Sequence, residues 1–237
     1  MKNKGTLFLI PTPLGEGADF VIPLYVKEEI YKLRIFIVEE ERTARRFLRS
    51  IGFSTSFDEV KLFHLDKNDT NIRVENFLHD AINGENIGLL SEAGLPAVAD
   101  PGSDVVKKAH ASGIKVVPLV GASSIMLALM ASGLNGQNFS FVGYLPIRSE
   151  ERKKRIQQLE MISARELQTQ IFIETPYRNN QLLEEILKTC NQNTLICAAS
   201  NLTMPDEFIK TKTVFEWRKN IPELHKRPTV FLLLKEK

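Results

Sequence analysis

Apolar residues along this chain gather in short unbroken runs, separated by longer stretches in which they return every three or four positions. Thr6–Ile10, Arg34–Val38, Val60–His64, Ile87–Leu90 and Lys115–Pro118 are of the first kind. Continuous hydrophobicity over so few residues reads as a strand covered on both faces, as in a parallel sheet. Between the runs the spacing is helical. Val26, Ile30 and Leu33 follow Pro23 in a first turn, Ala44 to Ile51 is closed by Gly52, Thr70 is placed to cap a helix through Ile82, and another helical interval follows Ser103. Strand and helix alternating this regularly predict a doubly wound sheet with right-handed crossovers.

The pattern changes after Ile125–Gly133, a helix rich in Ala, Leu and Met. Gly133-Leu-Asn-Gly136-Gln137 is the expected linker. Beyond it, Phe139–Gly143, Gln170–Glu174 and Thr194–Ala199 read as strands, and Arg148–Leu159 and Asn180–Cys190 as helices. Glu207–Thr213 and Thr229–Leu234 are expected to pair antiparallel around the helix-like Val214–Lys219. The expected fold class is therefore α/β in two domains: a parallel-sheet domain over 1–133 and a mixed-sheet domain over 138–237.

An open α/β sheet binds its ligand beyond the carboxyl ends of its strands. The segments there are Pro11–Gly17 after the first strand, Glu39-Glu-Glu-Arg42 after the second and His64 with Asp66 and Asn68 after the third. Ser91–Gly102 follows the fourth and Gly121–Ser124 the fifth. Gly94, Gly102 and Gly121 let backbone approach a ligand, Ala93, Ala97, Ala99 and Ala122 leave room, and Ser91, Ser123 and Ser124 offer hydroxyls. The plainer alternative is a set of ordinary turns and caps: Ser123 before an apolar helix, Asp100-Pro101 opening another, and Glu39 to Glu41 as acids at a helix N-terminus. Spacing alone leaves both open.

Composition narrows the field. At 237 residues one or two domains fit, and a hydrophobic share of 43% supplies a core without staples. The two cysteines, Cys190 and Cys197, lack metal-ligand spacing and read as reduced thiols. No leader-like or membrane-spanning run is found, and the expected location is the cytoplasm. A formal charge of +2 neither demands nor excludes nucleic acid. Glycine fingerprints for dinucleotides or nucleoside triphosphates, a Gly-x-Ser-x-Gly elbow and His-based metal spacing are all missing, so a hydrolase or metalloenzyme is poorly supported and no metal is expected.

Ser91-Glu-Ala-Gly-Leu-Pro-Ala-Val-Ala-Asp-Pro-Gly102, followed by Val116-Val-Pro-Leu-Val-Gly-Ala-Ser-Ser124, resembles the tetrapyrrole-methylase-type methyltransferases. More narrowly it resembles their branch that methylates a ribose 2′-hydroxyl of small-subunit ribosomal RNA. Ile10-Pro-Thr-Pro-Leu-Gly15, Glu39-Glu-Glu-Arg42, Ala131-Ser-Gly-Leu134 with Phe141–Pro146, and Phe172-Ile-Glu-Thr-Pro-Tyr-Arg178 are similar to further segments of that branch, so the likeness runs from about Leu7 to Leu202. Three stretches depart from it. Glu16-Gly-Ala-Asp19 stands for Asn-Leu-Gly-Asp, His64–Asn68 is a loose version of a His- and Asn-rich loop, and Ser200–Met204 stands for Arg-Glu-Leu-Thr-Lys.

The resemblance implies S-adenosylmethionine bound in a cleft between the two domains, and a homodimer. It implies donor contacts from Pro11, Ser91, Glu92, Ala93, Gly94, Val98, Ala122, Ser123 and Ser124, all in the first domain, plus backbone of the second. Glu39, Glu174 and His64 are the catalytic candidates, with Glu40 and Asp66 beside them, and Arg42 and Arg178 are candidates for substrate phosphates. The implied partner is ribosomal RNA or the small ribosomal subunit. A tetrapyrrole-like small-molecule methylase, or a donor-binding protein without transferase activity, are the competing readings.

Overall fold

The computed structural model describes residues 3–65 and 74–236. Asp66, Asn68 and the expected cap Thr70 lie outside them. Internal packing divides the chain into two units, Met1–Ser123 and Ser124–Lys237.

The first unit holds strands β1 (Thr6–Ile10), β2 (Ile35–Val38), β3 (Lys61–His64), β4 (Ile87–Leu90) and β5 (Lys115–Pro118). They form one sheet in the order β3-β2-β4-β1-β5, parallel in every pair. Helices α1 (Leu24–Tyr31), α2 (Glu41–Ser50), α3 (Val74–Ile82) and α4 (Ser103–Ala111) connect them. The strand period explains the unbroken apolar runs. In β2, Phe36 and Val38 join one core with Val26, Ile30 and Phe47, while Ile35 and Ile37 join the other with Leu78, Val105 and Ala109. Alternate side chains enter opposite cores, so no position in β2 faces water.

Local signals set several boundaries. The Glu40 side chain accepts from Arg42 N at 3.1 Å and caps α2. The same helix ends as Gly52 required: Gly52 lies at φ +91°, and Phe53 N donates to Leu48 O at 2.9 Å. Pro101 does not open α4; Gly102 at φ +132° is the residue before its first turn.

The second unit begins with α5 (Ser124–Ser132), then β6 (Phe139–Tyr144), α6 (Ser149–Glu166), β7 (Thr169–Ile173), α7 (Asn179–Thr189), β8 (Leu195–Ser200), β9 (Phe208–Thr213), α8 (Val214–Trp217) and β10 (Thr229–Leu234). Its sheet runs β6-β7-β10-β8-β9 and is mixed: β6 and β7 are parallel, the remaining pairs antiparallel. One expectation needs correcting. β9 and β10 do not pair, because β8 lies between them and pairs with both. Side chains of α6, α7 and α8, including Ile156, Leu183, Ile186 and Trp217, pack with Phe172 and Phe231 in one core. α5 packs on β8, β9 and β10, and Thr211 Oγ1 donates to Ser132 O at 2.7 Å. The division of the chain therefore falls before α5 rather than in the glycine-bearing stretch 133–137. Among the described residues no helix is long and apolar enough to cross a membrane.

Candidate functional site

β1 is flanked by β4 and β5, so three loops leave the same edge of the first sheet. The first two are joined by an isolated antiparallel bridge: Thr12 N donates to Gly94 O at 2.9 Å, and Gly94 N to Thr12 O at 3.1 Å. Their side chains lock it. Ser91 Oγ donates to Gly94 O at 2.6 Å and Thr12 Oγ1 to Ser91 O at 3.2 Å, all of it buried. The third loop touches the first at Gly121, where a Cβ would fall 2.2 Å from Pro11 Cγ. Only a residue without a side chain fits that crossing.

The loop after β4 is held in unusual backbone. Between 94 and 102, Gly94, Ala97, Ala99 and Gly102 all have positive φ. For the two alanines the left-handed region costs about 1–2 kcal/mol each, a strain that concentrates at functional loops. Val98, at 45% exposure, and Val120, at 62%, are apolar side chains left facing water on these loops.

Beside the loops lies a cavity of about 290 Å³ in the first unit. The β1 loop from Thr12 to Asp19 forms one wall, α2 the other, and Ser91, Glu92 and Ala93 close it. Thr43 Oγ1 donates to Glu92 Oε1 at 2.8 Å, and Ser50 Oγ to Asp19 Oδ1 at 2.8 Å, so the helix is tied to the acids of both loops. Arg46 stands at the rim, 3.8 Å from Glu16 Oε1, with both side chains mostly exposed.

The expected donor residues Pro11, Ser91, Glu92, Ala93, Gly94, Val98, Ala122 and Ser123 all lie on the three loops, and Ala122 O comes within 3.5 Å of the position a Gly94 Cβ would take. Ser124 opens α5 in the other unit. The Ser91 hydroxyl is spent on the loop itself, which makes it a positioning group. Arg42 is exposed and does not line the cavity; Arg46, one turn on, does. Arg45 and Arg49 instead lie over the Phe57 ring, at 5.1 and 4.4 Å from its centroid. Glu39 follows β2 directly. His64 ends the edge strand β3, with β2 between it and β4, so it stands about 10 Å from the β4 loop at ordinary strand spacing. Thr12, Thr43 and Ser50 were not singled out from the sequence, and Arg46 only as part of an expected basic rim for RNA with Arg42, Arg45, Arg49, Lys153, Lys154 and Arg155. Thr43, Arg46 and Ser50 follow an i, i+3, i+7 stripe of α2, which is the signal that held them.

Glu174 and Arg178 lie in the second unit, at the end of β7. Glu174 Oε1 accepts from Thr175 N at 2.7 Å and from Arg178 Nη2 at 2.6 Å, and the Glu174 side chain is fully buried. Among the described residues of this unit, five buried polar atoms have no hydrogen-bond partner, and all belong to this end of its sheet: Glu174 Oε2, Arg178 Nε, Asn179 Oδ1, Thr203 Oγ1 and Arg227 Nε. Nearby, Arg152, 2% exposed, makes a two-pronged pair with Glu185 and donates to Ile147 O at 2.9 Å. The hydrogen bond from Arg152 holds the Glu185 carboxyl below the ordinary range, and Glu185 in turn raises the Arg152 guanidinium. Cys190 and Cys197 are buried, and burial pushes both thiols up, away from reactivity. Among the described residues no group of three or more His, Cys, Asp or Glu is placed to hold a metal ion.

Residues 18–217 match the family model described as Tetrapyrrole (Corrin/Porphyrin) Methylases. The "Ribosomal RNA small subunit methyltransferase I" of Halalkalibacterium halodurans is 30% identical over 88% of this chain and 68% of its own length. The protein of the same name from Escherichia coli O157:H7 is 31% identical over 90% of this chain and 71% of its own. Among solved structures, the methyltransferase CobJ superposes with a TM-score of 0.64 at 20% identity, covering 98% of this chain and 94% of the other. The uroporphyrin III C-methyl transferase of Thermus thermophilus does so with 0.59 at 13% identity, covering 98% of each. At those identities the likeness concerns the fold alone.

Proposed function

The chain belongs to the tetrapyrrole (corrin/porphyrin) methylase family and is a methyltransferase, and from that premise we propose that it transfers the methyl group of S-adenosylmethionine to a ribose 2′-hydroxyl of small-subunit ribosomal RNA. The observation that carries the donor half is the crossing of three loops at Thr12, Gly94 and Gly121. Such a crest offers backbone N–H and C=O groups, space over Ala93 and Ala122, and the exposed Val98 and Val120 against which an aromatic base can lie. The acceptor half rests on the likeness to the small-subunit methyltransferases.

S-adenosylmethionine supplies a methyl on a sulfonium, a good leaving group. The protein's part is to hold the acceptor oxygen close and in line, and to take or orient its proton. Glu39, His64 and Glu174 are proposed for the proton, and the cavity adds Asp19 and Glu92, which line it and are tied to α2. Glu174 keeps Oε2 as a buried acceptor with no partner, while its other oxygen is fixed by Thr175 and Arg178. Arg42 and Arg178 are proposed to meet phosphates of the RNA, to which guanidinium N–H groups are matched in geometry. A cytoplasmic homodimer completes the proposal.

Calorimetric titration with S-adenosylmethionine tests the donor. Incubation with labelled donor and small ribosomal subunits lacking the modification tests the acceptor. Label in the ribosomal RNA is expected. Label only in a small tetrapyrrole-like molecule overturns the acceptor, and binding without transfer to either overturns the assigned reaction. Glu39→Gln and Glu174→Gln, assayed separately with donor bound, test the proton acceptors, and unchanged turnover in both removes them from that role.

A further inference from the structure

Two loops of the second unit are clamped together where β7 ends and β10 begins. Lys226 N donates to Pro176 O at 2.9 Å, and Leu224 N to Asn180 Oδ1 at 2.7 Å. Asn179 Nδ2 donates to Arg227 O at 2.6 Å, and Asn180 Nδ2 to Glu223 Oε1. Glu223 Oε1 also accepts from His225 N at 2.8 Å. These bonds, that from Asn180 foremost, hold the Glu223 carboxyl below the ordinary range. Lys226 sits at φ +62°, a left-handed backbone that the clamp maintains.

On this clamp stands Tyr177, 69% exposed, with its ring 5.8 Å from that of His225 at an interplanar angle of 73°. A tilted contact of that kind covers at most one face of the tyrosine ring. The cations around it are Arg178, Lys226 and Arg227. Of the acids around it, Glu174 is buried under Arg178, whereas Asp206, held by Arg227 and Asn201, and Glu223, held by Asn180, are exposed and hydrogen-bonded. Lys226 has no ion pair among the described residues, and it is exposed. An exposed aromatic face, fixed in place with the exposed Lys226 beside it and Arg178 and Arg227 partly exposed, is a surface that single-stranded nucleic acid can use, the base stacking and the phosphates meeting the cations.

We propose that Tyr177 stacks an unpaired base of single-stranded RNA, with Lys226, Arg178 and Arg227 against the neighbouring phosphates. The proposal rests on the reading of an RNA acceptor given above, and it names a contact outside the methylated ribose. A duplex keeps its base faces covered and is not expected to use the platform. Tyrosine and phenylalanine stack alike, so the ring carries the contact and the hydroxyl does not.

The test is fluorescence anisotropy of a fluorescein-labelled single-stranded RNA dodecamer of mixed sequence, titrated with the full chain. Tyr177→Ala is expected to weaken binding about tenfold, whereas Tyr177→Phe binds as the parent does. Lys226→Gln is expected to weaken it less and to lower the slope of log affinity against log salt by about 1. Thermal melting checks that the exposed substitutions leave the fold intact. Parent-like binding by Tyr177→Ala overturns the platform, as does an equal loss in Tyr177→Phe or tighter binding of the corresponding duplex. Labelled-donor transfer to small ribosomal subunits, run on the same preparations, separates the two claims. Transfer by the parent with Tyr177→Ala unchanged in both assays removes the platform and leaves the reaction. Tyr177-dependent binding without any transfer removes the RNA acceptor and leaves the platform.

Discussion

At the carboxyl ends of β1, β4 and β5 the chain meets itself through backbone: a two-bond bridge at Thr12 and Gly94, and a contact at Gly121 with no room for a side chain. At the end of the second sheet it meets itself through charge: Glu174 with Arg178, Arg152 with Glu185, and Arg227 with Asp206. The first arrangement is governed by volume and by φ, and it presents dipoles whose directions are fixed by the fold. The second is governed by pairing. The buried members, Glu174 and Arg152, are tolerable only while their partners remain. A neutral crest suits a nucleoside donor, and a charged one suits a polyanionic acceptor.

The largest expected effect removes one partner from the charged end. Arg152→Met leaves the Glu185 carboxylate, whose side chain is 17% exposed, without the guanidinium that holds it, at a cost of about 3–5 kcal/mol in unfolding free energy. Arg46→Met in the first unit breaks an exposed pair of 3.8 Å and is expected to cost no more than about 0.5 kcal/mol. Equal losses in urea melts of the two variants would erase the distinction between the regions. Gly121→Val comes next. The added atoms meet Pro11, the loops must part, and about 1–3 kcal/mol is lost together with most of the affinity for S-adenosylmethionine. Gly136→Ala, where nothing lies within 4 Å, is the control and is expected to be nearly neutral. Calorimetry and melting of both variants check the pair.

Acid should loosen the charged region by a smaller step, since a protonated glutamate still accepts a hydrogen bond. Glu185, Glu216 and Glu223, all in the second unit, are held below the ordinary glutamate value of about 4.3. A carboxyl with a depressed folded value adds stability that is fully present above its unfolded value and is lost as pH falls through the folded one. The expected loss therefore begins below about pH 4.3. Trp217, the sole tryptophan and buried in the second unit, reports on that unit alone. Its emission in mild urea should redden as pH drops through this window. An emission that stays constant to pH 2 would remove these carboxylates from the stability of the unit.

How far the sequence reached depends on the range of each interaction. The ten strands among the described residues were legible as short apolar runs, and in Arg34–Val38 the unbroken run traces alternate burial in two cores. The neighbours of β9 and β10 were not, since nothing within either strand says that β8 lies between them. The end of α6 was also hidden. Its buried stripe continues through Ile156, Leu159 and Ser163, and the last of these is a polar residue whose Oγ accepts from Lys235 N at 2.9 Å. A serine in a core position breaks the apolar period while serving the fold. At the site, small residues and glycines marked the three loops, and the i, i+4 spacing of Glu174 and Arg178 marked their pair. Arg46, Asp19 and Ser50 came together only through the packing of α2 against the first loop, a contact between segments 31 residues apart at Asp19 and Ser50. The contact division at Ser123 and Ser124 lies upstream of the expected linker for a related reason. α5 has almost no polar side, so its own sequence does not say which sheet it covers.

The smallest expected effect is the most discriminating. Thr12→Val keeps the shape of the side chain and both backbone bonds of the Thr12–Gly94 bridge, and removes only the hydroxyl, whose single proton is shared between Ser91 O and Ser91 Oγ, each at 3.2 Å. One net hydrogen bond is worth about 1 kcal/mol, and Ser91 Oγ still holds Gly94 O. Stability should fall by about that amount and donor affinity by no more than severalfold, with Thr12→Ser close to the parent. The crest would then owe its form to backbone and volume, as the crossing at Gly121 implies. A loss of donor binding in Thr12→Val as deep as in Gly121→Val would mean instead that side-chain hydrogen bonds hold the loops together, and the contrast between a backbone-built and a charge-built region would fail at its first term.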